Sequence, residues 1–214
     1  YDLIRDRPYR TVIVMGPHHS INFNGAAVYP AGHFNTPLGN IEIDDRFATR
    51  LIAADPMFIP DPAIFEREHS IEVQLPFLQK TLKDFRIVPI MMGRGDFVSC
   101  QKIAKALRAA IGDRTDVLVI ASSDMYHGYD PEECSRMDNA TLSYIKNMDG
   151  AGLYNGLQDG SLQLCGGLPV VTMLMLAKSL GHDKAFVCSQ TNSAIVTGNQ
   201  DKGAWTVGYS SVII

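Results

Sequence analysis

The chain has no excess of positive charge: Lys and Arg total 19 against 23 Asp and Glu, for a formal charge of -4, and the basic residues are scattered. That distribution lacks the footprint that tracks a phosphate backbone, so nucleic acid is not an expected partner. Long apolar runs are also missing, since nothing approaches the roughly 20 residues that span a bilayer. The opening Tyr1-Asp2-Leu3-Ile4-Arg5-Asp6-Arg7 lacks a signal-peptide profile, and a cytoplasmic location without membrane partners is expected. Cysteine is sparse as well. Cys100, Cys134, Cys165 and Cys188 lie far apart with no CxxC, which excludes a zinc ribbon and a disulfide scaffold. Internal repeats and low-complexity tracts are absent too. What the sequence does contain, 46% hydrophobic and 20% charged residues over 214 positions, suits one sizeable core, and residues 1–214 are expected to form a single domain. The chain does not start with methionine and opens just before a strand-like run, so a segment upstream of Tyr1 is expected.

Thr11-Val12-Ile13-Val14-Met15, closed by Gly16-Pro17, reads as a strand buried on both faces. Gly25 to Ile43 reads as an excursion over the sheet edge, with short strands at Ala26–Tyr29 and Asn40–Ile43 around the turn at Thr36-Pro37-Leu38-Gly39. Asp44 can cap a helix that carries Phe47, Leu51 and Ile52 on one face and ends near Pro56. A helix is predicted from Glu68 to about Leu82, with Pro76 forcing a kink or a late start. Ile87–Met92 and Thr115–Ala121 read as strands, and Phe97–Ile111, Pro131–Met148 and Leu168–Leu180 as helices. Ala185–Val187 and Trp205–Ile214 read as closing strands. This order implies an α/β fold, with a central mixed, mostly parallel sheet flanked by helices on both faces.

In such sheets ligands bind beyond the carboxyl ends of strands. Gly16-Pro17-His18-His19-Ser20 follows the first strand, and Ser122-Ser123-Asp124-Met125-Tyr126-His127 follows Thr115–Ala121. Imidazole ligates zinc, iron and copper, and Asp124 can ligate or fix a tautomer; the plainer alternative is that these histidines cap helices or bond loop backbone. His69, placed by helical spacing on the face of Glu72 and Val73, can move a proton above a substrate, or merely sit part-exposed behind a Glu68 favoured by the helix dipole. Cys165-Gly166-Gly167 precedes an apolar helix whose N-terminus is expected to lower the thiol pKa. Its alternative, a small buried hydrophobe, suits Cys100, Cys134 and Cys188 better. Met173 and Met175 read as core filler, and His33 and His182, in loop contexts, receive no role.

Together, Gly16-Pro17-His18-His19, Thr36-Pro37-Leu38-Gly39, Glu68-His69-Ser70-Ile71-Glu72-Val73-Gln74-Leu75-Pro76, Ser122-Ser123-Asp124 with His127, and Cys165-Gly166 resemble the Memo family in order over nearly the whole chain. The Glu-His-Ser-Ile-Glu run and the Ser-Ser-Asp loop with its histidine are the specific pieces. The resemblance implies the fold of class III extradiol dioxygenases and a pocket corresponding to their non-haem iron site, with two histidines and one cysteine as ligands. On that pattern His19 matches the second family histidine, because the position before it, here His18, is usually Asn or Ser. Cys165 matches the cysteine, and Asp124, His127 and His69 match residues lining the pocket. The family's first metal histidine, in a Pro-His-Ala-Gly-Tyr motif, lies upstream of the first strand and has no counterpart in these residues; His18, Asp124 or His127 could complete the set.

The expected function is therefore a metal-dependent redox enzyme of the dioxygenase type. His19, Cys165 and Asp124 are the expected metal ligands, with His69, His127 and Asp124 in catalytic roles. Iron(II) is the first cofactor candidate, because an open imidazole site can admit dioxygen, and the thiolate also suits copper or zinc. The rival expectation is a binding scaffold that keeps the pocket and takes a small molecule, peptide or phosphorylated ligand without turnover. Zinc-dependent hydrolysis ranks last.

Overall fold

In the computed structural model, which describes residues 1–199 and 201–214, the apolar run after Arg10 becomes β1 (Thr11–Pro17), buried along its whole length. The chain forms two compact units, residues 1–122 and 123–214. In the first, β1 is followed by β2 (Ala26–Val28), the hairpin of β3 (His33–Thr36) and β4 (Gly39–Glu42), and α1 (Asp45–Ala54). The helix α1 starts where the Asp44 side chain accepts the Phe47 N–H. Next come β5 (Phe58–Ile59), α2 (Leu75–Thr81), β6 (Arg86–Met92), α3 (Phe97–Ile111) and β7 (Val117–Ala121).

Five strands order as β5-β2-β6-β1-β7, with β1 parallel to both β6 and β7, β2 parallel to β5, and only β2 against β6 antiparallel. The sheet is thus mixed and mostly parallel. Alternation along β1 and β6 sends Val12, Val14, Ile87 and Met91 to the face covered by Ile71, Leu75, Leu78 and Leu82. Ile13, Met15, Val88 and Ile90 point the other way and are fully buried. On that side α1 packs against β2, β6 and α3. β7, though as apolar as β1, is an edge strand and only half-buried.

The helix predicted from Glu68 starts late. Residues 68–71 are irregular, Glu72–Gln74 form one 3-10 turn, and α2 begins at Leu75 with Pro76 in its first turn, where a missing N–H costs nothing. His69 therefore stands on a loop and not on the helical face with Glu72 and Val73. His33, read as loop, lies in β3.

The second unit contains β8 (His127–Gly128), α4 (Pro131–Lys146), α5 (Gly150–Gln158), α6 (Gly167–Ser179), β9 (Phe186–Asn192), α7 (Ser193–Thr197) and β10 (Thr206–Ile213). Asp130 starts α4 by accepting the N–H groups of Glu132 and Glu133. The strands order as β8-β10-β9, antiparallel, and α4 packs on β9 and β10. α5 has no counterpart in the sequence reading, because its three glycines disfavour helix while packing against α4 and α6 supplies what propensity lacks. β9 runs five residues beyond its predicted end at Val187. Cys188, expected in the core, is exposed on this strand, whereas Cys100 and Cys134 are buried. Among the described residues no helix is long and apolar enough to cross a membrane.

Candidate functional site

In the first unit the loop after β1 and the segment before α2 are joined through one carboxylate. Glu68 has a side chain only 1% exposed, and its oxygens accept the backbone N–H groups of His19 (2.7 Å), His69 (2.8 Å) and Ser70 (2.9 Å). His19 Nδ1 lies 2.9 Å from Glu68 Oε1 and 3.1 Å from Oε2. Burial by itself raises the Glu68 pKa, but hydrogen bonds from the His19 and Ser70 backbone and from the His19 ring outweigh it and hold the carboxyl at about 2. An ionised carboxylate has no proton to give, so the hydrogen of this contact sits on His19 Nδ1 and the lone pair on Nε2. The His69 ring stacks on that of His19, with centroids 5.0 Å apart, and is 66% exposed at its side chain. His19, Glu68 and His69 form a cluster close enough to hold a metal ion. Glu68 is nonetheless the orienting group of that cluster, since its oxygens are already occupied by N–H donors.

His18 takes a different role. Its Nδ1 accepts the N–H groups of Ser20 (3.0 Å) and Ile21 (2.8 Å), which leaves the ring proton on Nε2, buried and without a hydrogen-bond partner among the described residues. Neither nitrogen can donate a lone pair to a metal, and His18 is a loop organiser. An Asn side chain supplies the same acceptor. His18→Asn is therefore expected to unfold within about 1 kcal/mol of the parent in a urea titration, while His18→Ala, which strands two amides, loses about 1–3 kcal/mol.

In the second unit the loop from Ser123 to Gly128 and the segment before α6 are laced together. Cys165 Sγ accepts the Asp124 N–H at 3.0 Å and lies 3.7 Å from Ser123 Oγ, which itself accepts the Gly166 N–H at 2.8 Å. Burial pushes the thiol above its ordinary pKa, and the N–H of Asp124 and the Ser123 hydroxyl offset this only in part. The lowering expected from the helix N-terminus is thus overturned: desolvation wins and favours the thiol form. His127 Nδ1 stands 3.1 Å from the Met125 carbonyl and donates to it, so Nε2 carries the lone pair, 3.7 Å from Asp124 Oδ2. Gln163 brackets the same residue, accepting the His127 N–H at 3.1 Å. Behind the loop Asp138 of α4, 1% exposed, accepts the Tyr126 N–H at 3.0 Å. Burial raises its pKa.

Taken unit by unit, the donors have the chemistry of metal ligands: in the first, His19 has Nδ1 engaged and a lone pair on Nε2; in the second, His127 has the same arrangement and the Cys165 sulfur receives the Asp124 N–H. Sequence reasoning missed Glu68 as the hub, taking it for a helix-dipole residue. It also missed Ser123, Gln163 and Asp138. Asp138 had a legible signal, because it shares helical spacing with Cys134, Thr141, Leu142 and Ile145, all buried, and a carboxylate on an apolar helix face needs a partner.

A family profile described as Memo-like protein matches residues 1–213. A MEMO1 family protein of Methanobrevibacter smithii is 36% identical over 203 residues, covering 94% of this chain and 71% of its own. Another, from Saccharolobus islandicus, is 35% identical over 217 residues, covering 98% and 73%. Among solved structures, the uncharacterized protein JW3007 from Escherichia coli K12 superposes with a TM-score of 0.58 over 94% of this chain and 86% of that one, at 15% identity, a likeness of fold alone. A match over essentially the whole chain, with relatives above one-third identity, makes this chain a member of the Memo family.

Proposed function

We propose that this chain is a metal-dependent redox protein, with iron(II) as the first candidate ion and copper or zinc as the others. The ligands proposed are His19 in the first unit and Cys165 and Asp124 in the second. His127 and His69 are the groups proposed to hold or move protons. The observation that carries the reading is His19, whose Nδ1 is fixed by a buried, ionised Glu68 while Nε2 is left free, the arrangement by which proteins orient a metal-binding imidazole.

A bound ion of this kind supplies Lewis acidity and, for iron or copper, electron transfer. The chain's own groups supply the rest. Glu68 keeps His19 in one tautomer. The Asp124 N–H stabilises negative charge on Cys165 Sγ, while the Ser123 hydroxyl donates to the Asp124 carbonyl at 2.7 Å and holds that loop in place. His127, pinned by Met125 and Gln163, presents Nε2 3.7 Å from the Asp124 carboxylate, whose charge favours a proton taken up by the ring. His69, on its exposed loop, can exchange protons with solvent.

The test is reconstitution. Protein stripped of metal, reloaded separately with iron(II), copper or zinc and supplied with ascorbate as electron donor, is expected to consume oxygen faster than the free ion does with iron or copper but not with zinc. A preparation that stays metal-free and binds peptide without turnover supports the scaffold reading instead, and restoration of a hydrolytic activity by zinc alone supports hydrolysis.

A further inference from the structure

The chain's single tryptophan, Trp205, stands just before β10 with 54% of its surface exposed, and Tyr129, just before α4, is 61% exposed. Their rings meet edge to face with centroids 4.9 Å apart, and the His127 ring lies 6.0 Å from Trp205. Exposing two large aromatic rings together, beside a histidine that the fold pins in place, forfeits burial that each ring would otherwise gain, which marks the patch as a contact surface. The loop is tied down here, since the Gly203 N–H donates to the Tyr129 carbonyl.

The charge around the rings selects the ligand. Asp124, whose Oδ2 lies 3.7 Å from His127 Nε2, has no Lys or Arg ion-pair partner among the described residues, whereas Asp130 accepts the N–H groups of Glu132 and Glu133 and feels the Lys202 charge. Lys202, three residues before Trp205, pairs with Glu132 at 3.8 Å. Exposed rings, with the Asp124 carboxylate beside His127, repel anions and attract a soft, weakly hydrated cation, which gains from the ring quadrupoles and from that carboxylate together. A neutral planar ring would use the rings but not the carboxylate.

We infer that Trp205, Tyr129 and His127 form an aromatic corner that binds an organic cation of the alkylammonium class, held by cation–π contact and by Asp124. The inference deepens the metal reading by naming a ligand class beside His127, and it is tested on metal-stripped protein so that the two fail separately.

Trp205, as the only indole, reports binding directly. Choline titrated at constant ionic strength is expected to change its emission saturably, while 3,3-dimethylbutanol, the uncharged isostere, leaves it nearly unchanged. Tyr129→Ala, at an exposed position that does not threaten folding, is expected to weaken choline roughly tenfold, and Tyr129→Phe to retain it. Asp124→Asn should weaken it severalfold. Equal titration by the neutral isostere, the absence of saturation, an unchanged midpoint in Tyr129→Ala, or saturation by phenol with none by choline each overturns the inference.

Discussion

Gly208→Ala is expected to cost about 4 kcal/mol of stability and to lower the melting temperature by roughly 8–16 °C, at about 2–4 °C per kcal/mol for a chain of this size. Gly208 lies within β10, where a Cβ would fall 1.9 Å from Asp138 Oδ2 and 2.6 Å from its Cγ. The carboxyl has nowhere to go. Asp138 is buried, receives the Tyr126 N–H and lies 3.6 Å from the Cys134 thiol, while Gly208 itself exchanges backbone hydrogen bonds with Met125 and Tyr126. Strand and loop are locked by the same atoms, so the methyl group must break one of these bonds. A double-mutant cycle isolates the clash. In an Asp138→Ala background, itself weakened by the orphaned Tyr126 N–H, the added cost of Gly208→Ala is expected to shrink to about 1 kcal/mol. Equal costs in both backgrounds would show that the carboxyl is not the obstacle. Because the same loop carries Asp124 and His127, the substitution should also disturb whatever those residues bind.

Glu68→Ala comes next, with an expected loss of about 4 kcal/mol, because it leaves the amides of His19, His69 and Ser70 without acceptors. Glu68→Gln keeps the shape and loses the charge, and is expected to destabilise less while still loosening the His19 tautomer. If His19 is a ligand, metal affinity should fall about 10–100-fold in Glu68→Gln, the usual cost of losing an orienting carboxylate. Acid sensitivity provides a second readout. Folding lowers the Glu68 pKa from 4.5 to about 2, worth about 3 kcal/mol. The unfolded chain therefore binds the proton more readily, so the contribution is complete above about pH 5 and is lost as the pH falls toward 2. Denaturant midpoints of the metal-free parent should drop over that window, and those of Glu68→Gln should drop less.

The parts of the fold that could be read ahead are those whose burial is recorded in hydrophobic period. β6 and α3 appear within a residue of their predicted limits and β1 within two, because a run such as Thr11–Met15 has no other stable fate than a covered sheet. The parts that could not be read depend on tertiary partners. The helix predicted from Glu68 begins seven residues late because the Glu68 side chain takes the amides of its own neighbours, which bends the chain into a loop. α5 is hidden by its glycines. Cys188 looked like a core cysteine because composition does not reveal that β9 stays exposed along most of its length.

At the candidate site, place in the chain drew attention to His19, Asp124 and His127 after strands and to Cys165 before a helix, whereas the local chemistry was not legible. Tautomers follow from partners such as Met125, and the thiol's pKa follows from how deeply the fold desolvates it. His18 shows the gap most plainly. Adjacent in sequence to His19 and identical in type, it spends its lone pair on Ser20 and Ile21 and has none for an ion.

Metal binding by His19 and Cys165, as proposed, is checked by elemental analysis of protein purified without a chelating column, alongside His19→Ala and Cys165→Ser. Near-stoichiometric iron or copper in the parent, falling at least tenfold in both variants while His18→Asn keeps its metal, is the predicted result. A metal content that neither substitution alters would contradict it.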